Sequence, residues 1–306
     1  MQNFADKLIE AIKEKGNPCI IGLDPRMELI PQAFFAEGED KTKNELIEDS
    51  IFEWAECIID KIKDLVPAVK FQSAFYEQYG VPGMWAMKRA ISYAKSAGLI
   101  VVIDAKRNDI GSTAEAYANA FIGRSKIIDT EDPIFDGDCV TVSPFLGRDS
   151  LLPFVEACKK YGKGIFILVK TSNPGSGDFQ DVKNEHGEPL YTVLAKIVAE
   201  LGDGLVGTHG YSSVGAVVGA THPEEAKVLR TMMPKAFFLV PGYGAQGGTA
   251  SDTLPCFNPD HMGALVHSAR NITFTHADQN ISKNEYGYFV RENVEKMIAD
   301  VTAVLK

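Results

Sequence analysis

The chain has 306 residues, 45% hydrophobic and 24% charged, the composition of a folded globular protein rather than a disordered one. Its 41 acidic residues outnumber 31 basic ones, for a formal net charge of −10, which argues against binding along a nucleic-acid backbone, where Lys and Arg supply most of the affinity. No apolar run is long enough for a membrane span, and the charged N-terminus lacks the apolar region of a signal peptide, so a cytoplasmic protein with no membrane partner is expected.

In chain order, Phe4, Leu8, Ile9 and Ile12 share one helical face ahead of the first short apolar run, at 18–23. A polar stretch with Gly and Pro over 26–44 reads as a long loop. A helical pattern over 43–64 then carries Ile47, Ile51, Trp54 and Ile58. Apolar runs come next at 66–71 and 99–104, with a helical pattern over 84–97 between them. After the run at 138–143 come a helix over 151–160, a run at 164–170 and a second long polar loop over 171–188. A run at 214–220 leads through Thr221-His222-Pro223, a plausible cap, into a helix over 224–233, and runs at 236–240 and 264–268 close the series.

Apolar runs of this length without alternation suit strands buried on both faces. Eight of them, alternating with helices, predict an α/β fold: a single (β/α)8 TIM barrel spanning 1–306, with a doubly wound open sheet as the alternative. Trp54 and Trp85 fall in helical patterns and read as packing residues. The five cysteines, Cys19, Cys57, Cys139, Cys158 and Cys256, are scattered, form no zinc pattern and read as reduced, mostly buried thiols. The six histidines show no metal-binding spacing; His267, inside the last run, is the least easily explained.

The informative residues stand at the ends of the apolar runs. The runs close in Gly22-Leu23-Asp24-Pro25, Val69-Lys70-Phe71-Gln72, Asp104-Ala105-Lys106-Arg107-Asn108-Asp109, Thr141-Val142-Ser143-Pro144 and His267-Ser268-Ala269-Arg270. In a barrel these groups gather at the carboxyl-end mouth. Asp104 and Lys106 are two apart, so in extended chain they point the same way. With Lys70 and Asp109 they make two cations and two anions. A salt-bridge network closing the mouth is the plain alternative, but four charges together are costly to bury unless paired, and such clusters concentrate at functional sites. Independently, Gly242-Tyr243-Gly244-Ala245-Gln246-Gly247-Gly248 offers backbone amides to an anion, with Gln246 and Arg270 as side-chain donors. The same glycines spell GxGxxG, but the prolines Pro255 and Pro259 oppose the helix that a dinucleotide site needs.

The stretch Asp104–Thr113 resembles the DxKxxD signature of the orotidine 5′-monophosphate decarboxylase family, in its longer bacterial form. The other strand-end segments, the glycine loop and Arg270 appear in the order that family has them, over residues 18–272. The resemblance implies decarboxylation of orotidine 5′-monophosphate to UMP and CO2 without metal or organic cofactor. It implies catalytic roles for Lys70, Asp104, Lys106 and Asp109, with Lys106 stabilising charge at C6 and then protonating it. Asp24 is implied as a ribose contact, Ser143 and Pro144 as contacts at the pyrimidine edge, and Gly242, Gly244, Gln246, Gly247 and Arg270 as the phosphate site. It further implies a homodimer in which Asp109 reaches the partner's site. Three alternatives stand beside it: a Mg-dependent keto-sugar-phosphate decarboxylase sharing DxKxxD, a Schiff-base aldolase using Lys106 or Lys170, and a non-catalytic phosphate-ligand binding barrel.

Overall fold

All eight apolar runs form strands: β1 (Cys19–Leu23), β2 (Ala68–Gln72), β3 (Ile100–Arg107), β4 (Cys139–Val142), β5 (Gly164–Lys170), β6 (Ser212–Val218), β7 (Ala236–Val240) and β8 (Ala264–Ser268). They pair in parallel, each with its neighbours in sequence, and β8 closes on β1 to complete a barrel. The structure, a computed structural model, describes residues 1–35, 41–244, 246–275 and 280–306; part of the expected loop at 26–44, Ala245 and His276 lie outside the described residues. The longer helices are α1 (Phe4–Lys15), α2 (Lys43–Ile62), α3 (Gly80–Ser96), α4 (Gly111–Phe121), α5 (Leu152–Tyr161), α6 (Leu190–Gly202), α7 (Pro223–Met232) and α8 (Lys283–Val304).

The strands are apolar on both faces because each face meets a different core. Outward residues such as Ile21, Val69 and Val140 pack with the helical residues Trp54, Ile58 and Val290. Inward residues such as Ile20, Ala68, Val102 and Phe166 fill the barrel and meet Phe4, Leu8, Ile9 and Ile12 of α1. Helix α1 therefore plugs the amino-terminal end of the barrel. Asn3 caps it by accepting from Ala5 N at 2.8 Å, and Asp6 ties it down by accepting from the backbone of Thr208 and His209 at 2.9 Å each. With that end sealed, the polar strand ends at the other are left to form a site.

Three expectations change. Trp54 is fully buried, and its Nε1 donates to the Tyr286 hydroxyl at 2.7 Å, but Trp85 is half exposed on α3 beside Lys88 rather than packed. His222 occupies the cap position of α7 without a capping bond; its Nε2 instead lies 3.2 Å from Ser176 Oγ. The 171–188 stretch is no featureless loop: it holds short helical turns at Pro174–Ser176 and Gly177–Gln180.

Candidate active site

The strand ends surround a cavity of about 610 Å³ at the carboxyl-terminal mouth. Four cations line it (Arg26, Lys70, Lys106, Arg270) against two carboxylates, Asp24 and Asp104. That local excess of positive charge, on a chain of net charge −10, suits a small anionic ligand.

Asp104 is the hub. It lies within β3 and accepts from Lys70 Nζ at 3.0 Å, Lys106 Nζ at 2.6 Å and Thr141 Oγ1 at 2.8 Å. Lys70 is buried, donates also to Gln72 Oε1 at 3.1 Å, and stands 3.9 Å from Asp24 Oδ1. Burial alone would raise the Asp104 carboxyl, but Lys70, then Lys106 and the hydrogen bonds outweigh it and hold the group well below the usual carboxylate range. Burial likewise disfavours the charged form of Lys70, yet Asp104 and Asp24 win and keep it protonated.

Lys106 reaches Asp104 by a different route from simple alternation. Its φ is +48°, in the left-handed region, where β3 shifts register against β4 between Ile103 and Arg107. Such a conformation costs about 1–3 kcal/mol for a non-glycine residue and persists only where the surroundings enforce it. Here Lys106 N donates to Thr141 Oγ1 at 2.9 Å, so the same hydroxyl fixes the bulge and binds Asp104. The bulge re-aims the lysine, whose side chain is 44% exposed to the mouth.

Asp24 has the opposite balance. Its Oδ1 is buried without a hydrogen-bond partner among the described residues, and burial, only partly offset by Lys70, raises its carboxyl above the usual range. Native Asp24 therefore binds its proton more tightly than unfolded Asp24, and stability falls as pH rises from the ordinary range through the raised value. Asp24→Asn is expected to stabilise the ligand-free protein at pH 7 by about 1 kcal/mol, since removing strained functional polarity commonly stabilises. The gain should shrink as pH falls and Asp24 takes up its proton, and UMP should bind about tenfold more weakly. Thermal melts at pH 7 and pH 4 with a UMP titration check this; destabilisation at pH 7 would refute it.

His267 also faces the cavity from β8, beside Gly22, where an added Cβ would stand 2.6 Å from its Nε2. That nitrogen has no hydrogen-bond partner among the described residues, and burial, with Lys70 next, pushes the imidazole well below its usual pKa, so the ring is neutral.

At the other side of the mouth, Gly242, Gln246 and Arg270 line the cavity. Gly242 has φ +104°, which a side chain would strain. Gly244 and Gly247 do not line the cavity, and their amides are spent within the loop: Gly244 N donates to Gly248 O and Gly247 N to Gly244 O. The expected cradle of glycine amides is thus closed on itself here. Tyr243 also lines the cavity, with its hydroxyl held by donating to Asp300 at 2.7 Å.

Ser143, Pro144 and Asp109 also stay out of the cavity lining. Strand β4 ends at Val142, and the next turn carries Ser143 aside, where its Oγ accepts from Phe145 N at 3.4 Å. Asp109 Oδ1 accepts from Ile110 N at 2.8 Å. Within one chain the second anion of the charge set is therefore Asp24, not Asp109. Residues missed by sequence reasoning are Thr141, which binds Asp104, and the cavity-lining Arg26, Gln72 and segment Thr171-Ser172-Asn173. Thr141 was legible: two residues past inward-facing Cys139, it must face inward too. Lys170 does not line the cavity, which removes the footing for a Schiff-base lysine on β5. Among the described residues no three His, Cys, Asp or Glu side chains converge as a metal site would require.

Fold and site together define a (β/α)8 barrel enzyme with a preset electrostatic site for a small anion. The chain belongs to the orotidine 5′-phosphate decarboxylase / HUMPS family, whose model matches residues 17–272. It is 42% identical over 301 residues to an orotidine 5′-phosphate decarboxylase of Caldicellulosiruptor bescii, covering 97% of this chain and 98% of that one. It is 45% identical over 282 residues to the enzyme of that name from Rhodopirellula baltica, covering 92% of each. The crystal structure of a putative orotidine 5′-phosphate decarboxylase from Streptomyces avermitilis is 29% identical, with a TM-score of 0.79 over 100% of this chain and 96% of that one.

Proposed function

We propose that this protein is a cytoplasmic, homodimeric enzyme of the longer bacterial form that decarboxylates orotidine 5′-monophosphate to UMP and CO2 without metal or organic cofactor. The carrying observation is the Lys70–Asp104–Lys106 chain within a cation-rich cavity. Family membership and the relatives' names support the decarboxylase activity.

The bond from C6 to the carboxylate breaks and leaves its electron pair on C6, in an orbital the ring cannot delocalise. With no electron sink, fixed charge must lower the barrier, by up to about 23 kcal/mol in the most demanding cases. Lys106 provides an ammonium beside that carbon and then gives it a proton. Asp104, held ionised, crowds the substrate carboxylate, and the repulsion is relieved as CO2 leaves. Lys70 keeps Asp104 in place, and Asp24 receives a ribose hydroxyl. The metal-dependent keto-sugar reading is less well supported, because both cavity carboxylates already face lysines.

The deciding assay is spectrophotometric conversion of orotidine 5′-monophosphate by EDTA-treated protein. Full activity is expected; loss on chelation with recovery on adding Mg2+ would favour the keto-sugar relative. Arg270→Ala, at an exposed cation with no ion pair among the described residues, separates anchoring from chemistry. It should weaken UMP at least about 100-fold but uridine less than about threefold, as expected for a charge-assisted phosphate contact. Equal losses for both ligands would place the phosphate elsewhere.

A further inference from the structure

A second buried lysine lies outside the charge set. Lys170, the last residue of β5, has no solvent exposure. Strand alternation would aim it inward after Phe166 and Leu168, but β5 shifts register against β6 between Leu168 and Lys170. Its Nζ instead reaches Asp181 Oδ1 at 2.5 Å, with the Tyr191 ring 5.5 Å away. This ion pair closes the first part of the excursion that leaves β5, residues 171–180. Inside it a second tie repeats the closure: Thr171 N donates to Gln180 Oε1 at 2.9 Å and Gln180 Nε2 to Thr171 Oγ1 at 2.8 Å. The two ties hold a wall of the cavity, Thr171, Ser172, Asn173 and Gln180. The wall is braced by Thr221 Oγ1, which donates to Ser172 O at 3.1 Å.

We propose that Lys170 and Asp181 are positioning residues, a buried lysine held by a half-exposed carboxylate, a pair that sets this wall before substrate arrives, so that the ring end of the ligand meets a preformed surface. The inference rests on the proposed decarboxylase reading for the ligand's identity, though not for the pair's effect on the wall. A buried lysine is costly to strip of its partner, and a buried charge used for specificity rather than stability can be replaced, together with its partner, by apolar groups without loss of fold. Preorganisation of this kind lowers the ordering cost of binding. The phosphate donors Gln246 and Arg270 come from the loops after β7 and β8, so a phosphate-only ligand should depend on the wall far less.

The test uses Lys170→Met, Asp181→Asn and the double variant Lys170→Met/Asp181→Leu, which removes both the buried charge and its half-exposed partner. Each is titrated with UMP and with inorganic phosphate, melted, and digested with chymotrypsin, the cut after exposed Phe179 being monitored by mass spectrometry. The single variants should lose UMP affinity about tenfold and be cut after Phe179 about tenfold faster, as for a wall released into local opening. Phosphate affinity should stay within about threefold, and saturating UMP should slow the cut. The double variant should melt like the parent yet keep the weak UMP binding and the fast cut. Parental UMP affinity in the double variant, parallel loss of phosphate affinity, or unchanged cutting would each overturn the proposal. If the parent protein neither binds UMP nor turns over orotidine 5′-monophosphate, the decarboxylase reading falls, while the cutting rates still decide whether the pair holds the wall.

Discussion

Lys106→Ala is expected to lower turnover of orotidine 5′-monophosphate by at least about 10⁴-fold while UMP still binds within about tenfold of the parent. Two contributions are lost at once: a positioned proton donor, worth about 10²–10⁴-fold, and a fixed charge at the developing carbanion, worth about 10²–10³-fold where single donors have been removed. Binding should survive because the other cavity cations, Arg26, Lys70 and Arg270, remain. Lys106→Arg keeps the charge but replaces a compact ammonium with a planar group that does not release its proton, so it should recover little. Steady-state rates and UMP titration on the same preparations check both halves. Turnover within about tenfold of the parent would remove Lys106 from the chemistry. Unchanged rates with lost UMP affinity would recast it as a binding residue.

The barrel was legible because its signal is local. Eight buried-strand runs and their order could be read directly, and even the plug at the amino end announced itself through Phe4, Leu8, Ile9 and Ile12. Helix α8 also left its mark, a capping box of Ser282 and Glu285 with both bonds formed, though weak amphipathicity hid it. Helix α4, rich in alanine, gives little periodic contrast to detect. In the site, the charged residues were visible as strand-end punctuation, but their geometry was not. Alternation brought Asp104 and Lys106 together for the wrong reason: the contact depends on a register shift and a left-handed lysine. The same kind of irregularity turns Lys170 away from the cavity. Ser143 was placed by the resemblance rather than by alternation; β4 stops at Val142, one residue before it, and Ser143 does not line the cavity within one chain. Period-two reasoning holds only as far as the strand does, and catalytic residues sit where strands end.

Asp109 tests the remaining part of the proposed site, the part a single chain leaves open. It is half-buried just beyond β3, where the chain is leaving the mouth, and it does not line its own cavity. Beside it Ile110 is 57% exposed, an apolar side chain facing outward next to an acid. In a two-fold dimer two such acids are exchanged reciprocally, each serving the partner's site. Lys106→Ala and Asp109→Ala homodimers should then each be nearly inactive, for unlike reasons. Mixed under conditions that exchange subunits, they should form heterodimers in which one site has lost both groups and the other has neither substitution. Random pairing makes half of the dimers mixed, so activity should recover to roughly a quarter of the parent's if the sites act independently. Native mass spectrometry can establish that exchange has occurred before the assay is read. Recovery near that level requires that one site be built from Lys106 of one chain and Asp109 of the other, because no single-chain site in the mixture is intact. Absence of recovery despite proven exchange would return Asp109 to its own chain, and the shared-site arrangement would be abandoned without touching the roles of Lys70, Asp104 and Lys106.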